Sequence, residues 1–298
     1  MPAGRERARR LSLFVQQLLN ALTLGSIYSL VALGLTLVYG ILRIPNFSHG
    51  ALFTIGGYAA FFAVENLGAN YWVALVVAAI AVAAIAVLSE RLVFERLRNA
   101  PPLHDMIAAI GLLLFFEACA QAIWGADFHR LAAPDPGLLR PAAGIVLPPQ
   151  RVLIIAGAIA LMIALQIFLR RTTMGATIVA MAENREGASL VGIDLTRVSM
   201  LTFAISGALA AVAAVLYAPI NLIYPGMGDL VILKAFVIII LGGMGSVPGA
   251  IVGGMVIGLG ESFGAFYVSN DAKDLIAFAL LVLILSVRPQ GLFPSPAR

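Results

Sequence analysis

Lys234 and Glu261 are opposite charges in a chain that is otherwise apolar around them. They lie on the two arms of a run, residues 231–261, interrupted by Gly242-Gly243-Met244-Gly245-Ser246-Val247-Pro248-Gly249. An ionised side chain in hydrocarbon is costly unless it is paired or faces water. The two residues can therefore pair across the interruption, or each can sit at an interface, Lys234 by snorkelling. Glu117 is under the same demand near the middle of the apolar run 106–125. It needs a bond to a neighbouring helix, a proton, or a place on a water-filled pathway. Asn46 and His49, beside Pro45 and Gly50, stand where the chain turns into its next apolar run. Asn46 or Ser48 can there accept the free N–H groups of a helix start. No Ser-His-Asp set, carboxylate pair or metal-ligand cluster stands out, and three histidines in unlike settings make no site. No catalytic residue and no metal ligand is assigned.

A second polar feature is the segment 170–197, which separates two apolar runs, 152–169 and 198–217. Glu183, Asn184, Arg185, Glu186, Asp194 and Arg197 are interleaved there with Ala, Leu, Val and Ile. That is the pattern of a short amphipathic helix at a membrane face, where a soluble partner can grip it.

The elements that must position these residues are transmembrane helices. The chain of 298 residues is 61% hydrophobic and 11% charged, with a mean hydropathy of +1.00, whereas a globular domain carries roughly 25% charged residues. The net charge of +4 comes from basic residues at segment ends, which fits a positive-inside bias and not a nucleic-acid surface. Cys119 is the single cysteine, so a disulfide within the chain and a cysteine metal cluster are excluded. The arginines at 5, 7, 9 and 10 precede an apolar run longer than a signal peptide, which reads as an uncleaved anchor.

Runs of about 20 apolar residues cross a bilayer. They occur at 48–64, 72–88, 106–125, 152–169, 198–217 and 275–287. The expectation is an all-α polytopic membrane protein with about eight to ten transmembrane or half-membrane helices and Gly-broken segments. Residues 11–42 are too long for one straight span. With 170–197, Arg43, Arg91, Arg96, Arg98, Arg288 and the N-terminal arginines on the cytoplasmic side, and 127–150 outside, 11–42 must cross an even number of times or enter and return; the alternative is an N-terminus outside, which requires four arginines to be translocated. Residues 231–261 must do the same, most simply as two half-helices joined at 242–249. Broken helices in corresponding positions of two halves point to a transport pathway. The plainer reading is close packing, since Gly245, Gly249 and Gly253, and likewise Gly254 and Gly258, recur at four-residue spacing. The glycine run is no phosphate cradle, because neither lysine, Lys234 or Lys273, follows it in a G-x-x-x-x-G-K-[ST] setting. Two tests follow. Valine at Gly243 or Gly245 is expected to harm transport more than valine at Gly175 or Gly137. Cysteines in 137–144 are expected to label from outside, and those at Arg185 or Asn99 are not.

The chain resembles, nearly end to end, the LivH-type permease subunits of ATP-driven importers for branched-chain and other hydrophobic amino acids. The resemblance rests on Leu22-Thr23-Leu24-Gly25-Ser26-Ile27-Tyr28, Val38-Tyr39-Gly40, Asn46-Phe47-Ser48-His49-Gly50, Lys234-Ala235-Phe236, Leu241 through Ala250, and Arg288-Pro289-Gln290-Gly291-Leu292. Glu186-Gly187-Ala188-Ser189-Leu190-Val191-Gly192 is similar to the coupling loop of such importers, with Gly187 in place of the usual Ala. The resemblance implies one permease domain over 1–298, with a cytoplasmic coupling loop at about 171–197 that uses Glu183, Glu186, Ala188 and Gly192. It also implies a second homologous permease, two cytoplasmic ATPase subunits holding ATP and Mg, an extracytoplasmic solute-binding protein, and the bacterial cytoplasmic membrane. No cofactor on this chain, no nucleic acid and no chemistry of its own are implied. Related permeases carry urea and short amides. A channel or secondary transporter working alone is the rival class, for which Glu117, Lys234 and Glu261 are thin material.

Overall fold

The computed structural model describes residues 2–43, 45–98, 100–135, 137–142, 145–269 and 273–293. The chain begins with α1 (Pro2–Leu42), α2 (Ser48–Glu65) and α3 (Tyr71–Ser89), the last prolonged by a π-helical turn (Glu90–Phe94) and a short α4 (Glu95–Leu97). After α5 (Pro102–Trp124) comes a small antiparallel hairpin, β1 (Leu139–Ala142) and β2 (Ile145–Leu147). Then follow α6 (Pro149–Arg171), α7 (Thr173–Glu183), α8 (Arg185–Leu190) and α9 (Leu195–Tyr217). The chain closes with α10 (Met227–Gly242), α11 (Val247–Tyr267) and α12 (Lys273–Val287). The architecture is helical, as expected, apart from that hairpin and an isolated bridge between His129 and Ile223.

Local chemistry sets these boundaries. Asn70 starts α3 by accepting from the Val73 N–H at 2.9 Å, and Pro102 and Pro149 open α5 and α6, where a missing N–H costs nothing. Among the described residues, six helices are long and apolar enough to cross a membrane: Leu11–Leu42, Tyr71–Leu97, Pro102–Trp124, Pro149–Arg171, Leu195–Tyr217 and Val247–Tyr267. The chain is thus a multi-pass membrane protein. α1 and α9 are mostly buried, whereas α3, α5 and α6 are mostly exposed and present apolar side chains suited to lipid.

The even crossing expected for 11–42 is wrong. Residues 2–42 form one uninterrupted helix. Asn20 accepts from Arg151 at the start of α6, while Arg43 reaches the end of α7. At about 1.5 Å per residue, the stretch between them spans roughly one hydrocarbon core. The preceding turns simply extend α1 beyond it. The two ends of α1 therefore lie on opposite faces, so the N-terminal arginines and Arg43 do not share one.

The discontinuity in this half comes instead after α1. Arg43 has φ +56°, and α2 begins beside the middle of α1, where the His49 ring meets Val31 and Gly34. The Gly-rich interruption in the second half is where the sequence places it, as a four-residue turn between α10 and α11. Glycines on α11 face two ways. A Cβ at Gly249 would lie 2.2 Å from the Gly242 carbonyl oxygen, and one at Gly258 would lie 2.5 Å from the Gly25 Cα. Gly249 and Gly253 thus seat α11 on α10, and Gly254 and Gly258 seat it on α1, close contacts of the small-residue kind.

Candidate functional site

Lys234 on α10 and Glu261 on α11 form a buried ion pair, with Nζ 2.9 Å from both Oε1 and Oε2. Two further helices join it. Lys234 Nζ is 2.9 Å from Asp274 Oδ1 on α12 and donates to the Tyr28 hydroxyl on α1 at 3.0 Å. Tyr28 in turn donates to Glu261 Oε2 at 2.8 Å. One cation is thereby shared between two carboxylates, as a buried charge requires. Glu261 also lines a polar cavity of about 450 Å³ with Gln17, Asn20, Arg151 and Asn221. Tyr28 was marked in the sequence only as part of a motif, and Asp274 not at all; the one signal for Asp274 is an acid in the first turn of an apolar helix.

Asn46 and His49 fix the start of α2. Asn46 Oδ1 accepts from the Ser48 N–H at 3.2 Å and from the Ser48 hydroxyl at 2.6 Å. His49 Nε2 lies 3.1 Å from the Val31 carbonyl oxygen and Nδ1 lies 3.2 Å from Ser206 Oγ, which donates to the Gly34 carbonyl. A Cβ at Gly34 would stand 2.8 Å from the imidazole, so only glycine leaves room for it. His49 thus ties α2 to α1 and α9.

Glu117 stands apart from these groups, partly exposed on α5. It borders a cavity with Leu114, Gln121 and Pro225, and it interacts with Asp229 of α10. A Cβ on Gly226 would lie 3.3 Å from Glu117 Oε1 and 3.2 Å from Asp229 Oδ2. The sequence reading saw no carboxylate pair; this one joins residues distant in the chain, and no local spacing reveals it.

At the break, Gly243 and Gly245 have φ values of +103° and +80°, where glycine alone is unstrained. Ser246 caps α11 by accepting from the Gly249 N–H at 3.1 Å. Two backbone carbonyls at the break are paired within the chain. The Leu292 N–H donates to the Leu241 carbonyl at 2.8 Å and the Phe293 N–H to the Gly242 carbonyl at 2.9 Å. The Arg288–Leu292 motif is thus the C-terminal cap of α10.

The polar segment between α6 and α9 is two helices rather than one. Thr172 accepts from the Gly175 N–H at 2.9 Å to start α7, and Asn184 accepts from the Gly187 N–H at 2.8 Å to start α8. A Cβ at Gly187 would stand 3.2 Å from Asn184 Cγ, tight against the cap that holds the helix start. Gly192, at φ +84°, turns the chain into Asp194, which accepts from the Thr196 and Arg197 N–H groups at 3.1 Å and starts α9. Ala188 is buried, whereas Glu183, Glu186 and Gly192 are exposed. Leu190 and Val191 are 88% and 77% exposed, an apolar tip with no cover from this chain. Arg43 Nη2 donates to the Ala182 and Glu183 carbonyls at 3.1 Å and ties the segment to the end of α1.

Beneath α8 lies a charged floor. Arg98 donates to Glu90 Oε1 and to Thr196 Oγ1, each at 2.8 Å. Arg185 enters the same cavity as Asp105 and Glu90. Burial first, and then the neighbouring Arg98, lower the Arg185 pKa, while Asp105 and Glu90 oppose that shift; a guanidinium stays charged all the same. Among the described residues no group of three or more His, Cys, Asp or Glu is placed to hold a metal ion.

Residues 17–285 match the family model described as the permease component of the branched-chain amino acid transport system. The chain is 36% identical to the high-affinity branched-chain amino acid transport system permease protein BraD of Pseudomonas aeruginosa, over 95% of this chain and 96% of that protein. It is 38% identical to the corresponding LivH of Escherichia coli K12, over the same shares. A probable LivH of Methanocaldococcus jannaschii is 30% identical over 92% of this chain and 90% of that one. The chain belongs to the family of branched-chain amino acid transport permease components.

Proposed function

We propose that this chain is a permease subunit of an ATP-binding-cassette importer for branched-chain or other hydrophobic amino acids in a bacterial cytoplasmic membrane. It acts as one transmembrane permease domain in which the six long helices and the shorter α2, α10 and α12 are membrane-embedded. A second homologous permease completes the pathway, an extracytoplasmic binding protein delivers the solute, and two cytoplasmic ATPase subunits hold ATP and Mg. The chain performs no covalent step. The observation that carries this reading is α8, a short helix anchored through Ala188, whose Glu186 and Leu190, with Val191 just after it, are exposed. An apolar tip flanked by a charge fits a groove on a soluble partner. A partner that binds one orientation of α8 better than another shifts the balance of permease states by that difference.

The test is Glu186→Lys combined with Leu190→Asp. The variant is expected to accumulate folded in the membrane but to lose copurification of the ATPase subunits and ATP-dependent leucine uptake. Copurification and uptake equal to those of the unaltered chain would remove α8 as the coupling element.

A further inference from the structure

Between α8 and the bundle lies a cavity of about 190 Å³, lined among others by Glu90, Arg98, Asp105, Arg185, Phe94 and Ile41. Its charges balance, two acids against two arginines, so no bound cation is needed to neutralise it. Its hydrogen bonds do not balance in the same way. Glu90, 1% exposed, gives Oε1 to Arg98 and leaves Oε2 buried without a partner. Asp105, 9% exposed, leaves Oδ1 buried without a partner. Arg185 is the guanidinium that faces both.

These residues sit on different bodies. Arg185 is the first residue of α8, Asp105 lies in the first turn of α5, and Glu90 opens the π-helical turn at the end of α3. π-helical turns are rare, and they occur often at functional positions. Arg98 fastens Glu90 to Thr196 at the start of α9, so that end of the cavity is held. α5 is the least buried of the long helices and is the one most free to move against the rest.

We infer that Arg185, Asp105 and Glu90 form a relay that transmits movement of α8 into α5 and the end of α3. This rests on the reading of α8 as the helix gripped by the ATPase subunits. The guanidinium has five donors, and two buried carboxylate oxygens on two different helices await one. When Arg185 engages Asp105, α8 and α5 move together. When α8 shifts, Arg185 engages the free oxygen of Glu90 and α5 is released. Two discrete arrangements of one donor supply the bistable element that coupling between distant sites requires. Asp105, Glu90 and Arg185 are in this sense positioning residues, acting through the helices that carry them.

The experiment uses the complete transporter, with its second permease, ATPase subunits and binding protein, in liposomes. It reads leucine uptake per ATP hydrolysed, alongside copurification of the ATPase subunits. Asp105→Asn and Arg185→Gln are expected to keep the ATPase subunits bound yet lower the uptake-to-hydrolysis ratio about tenfold, within the usual range of coupling between sites. Arg185→Lys, which keeps the charge, is expected to retain a ratio within about twofold of the original. An unchanged ratio in both Asp105→Asn and Arg185→Gln overturns the relay. If the unaltered chain fails to retain ATPase subunits, the reading of α8 is what fails, and the relay falls with it.

Discussion

Lys234 and Glu261 stand 2.9 Å apart on the two arms of a helical hairpin, and the turn between those arms decides that they meet. Gly242 packs on Gly249, Ile238 on Gly253, and Lys234 pairs with Glu261. Each pairing lies further from the turn than the last, as antiparallel helices dictate. Removing one charge should therefore do more harm than removing both. Lys234→Met leaves the buried Glu261, and the partly exposed Asp274, without their cation, a loss on the order of 3–5 kcal/mol. Adding Glu261→Met should return part of that loss. Unfolding of the purified protein in detergent measures it, and a double variant less stable than either single one would refute a mutually stabilising pair.

The glycines sort by environment rather than by distance from the break. Valine at Gly243 or Gly245 is expected from the sequence to harm transport more than valine at Gly175 or Gly137. However, a Cβ at Gly175 would lie 2.2 Å from the Phe168 carbonyl oxygen, whereas at Gly245 it would meet nothing within 4 Å. Gly175→Val should therefore cost more folded protein than Gly245→Val, whose main penalty is a positive φ of roughly 1–2 kcal/mol. Gly243 is intermediate: it has the same positive-φ penalty and packs closely on Gly291, where an added Cβ would lie 2.7 Å from the Gly243 nitrogen. Counting folded complex for the three variants tests this order, and equal yields for Gly175→Val and Gly245→Val would contradict it.

Much of this arrangement is legible before any coordinates are known, for identifiable reasons. The α10–α11 turn announces itself because Gly-Gly-Met-Gly-Ser-Val-Pro-Gly combines residues that permit a turn with a serine cap and an early proline. Lys234 and Glu261 are legible as partners because an unpaired charge in an apolar arm has few alternatives. α1 is not legible, because hydropathy measures how much apolar chain there is and not where it bends. Gly25, Gly34 and Gly40 resemble breaks in the sequence, yet Gly25 and Gly34 are packing contacts within a continuous helix. Glu117 with Asp229, and Arg185 with Asp105, are electrostatic neighbours on helices remote in sequence, and only their packing reveals them.

His49 offers a test of what starts α2 within the bundle. Its two ring nitrogens reach α1 and α9, so His49→Ala removes both links and leaves the Val31 carbonyl and Ser206 hydroxyl facing a void. Ser206 keeps its bond to the Gly34 carbonyl, so the cost is that of the two lost bonds, about 0.5–1.5 kcal/mol each, together with the void. His49→Gln can restore one link and should be milder. Stability no lower in His49→Ala than in His49→Gln would show that the imidazole is filler rather than a tie.

The single crossing of α1 makes a prediction that the charge count alone reverses. Arg43 is bonded to the Ala182 and Glu183 carbonyls, so the Leu42 end of α1 shares a face with α8. Asn20 is bonded by Arg151, next to the β hairpin, so the other end of α1 shares a face with that hairpin. A cysteine in place of Leu190, 88% exposed, and one in place of Leu138, 57% exposed, therefore mark opposite sides. Asn99 and Gly144, named earlier as label sites, fall outside the described residues, and these two positions replace them. A cysteine at Ala3 should react with an impermeant thiol reagent from the same side as the one at Leu138, in a background with Cys119 replaced by Ala. The positive-inside pattern favours the opposite result, because the arginines at 5, 7, 9 and 10 are drawn to the cytoplasm. However, a helix without a bend cannot place both its ends on one side, and the bias is a preference that a packed core can override. Labelling of the Ala3 site from the side of Leu190 would mean that α1 does not cross as one helix. The even crossing of residues 11–42 would then be restored.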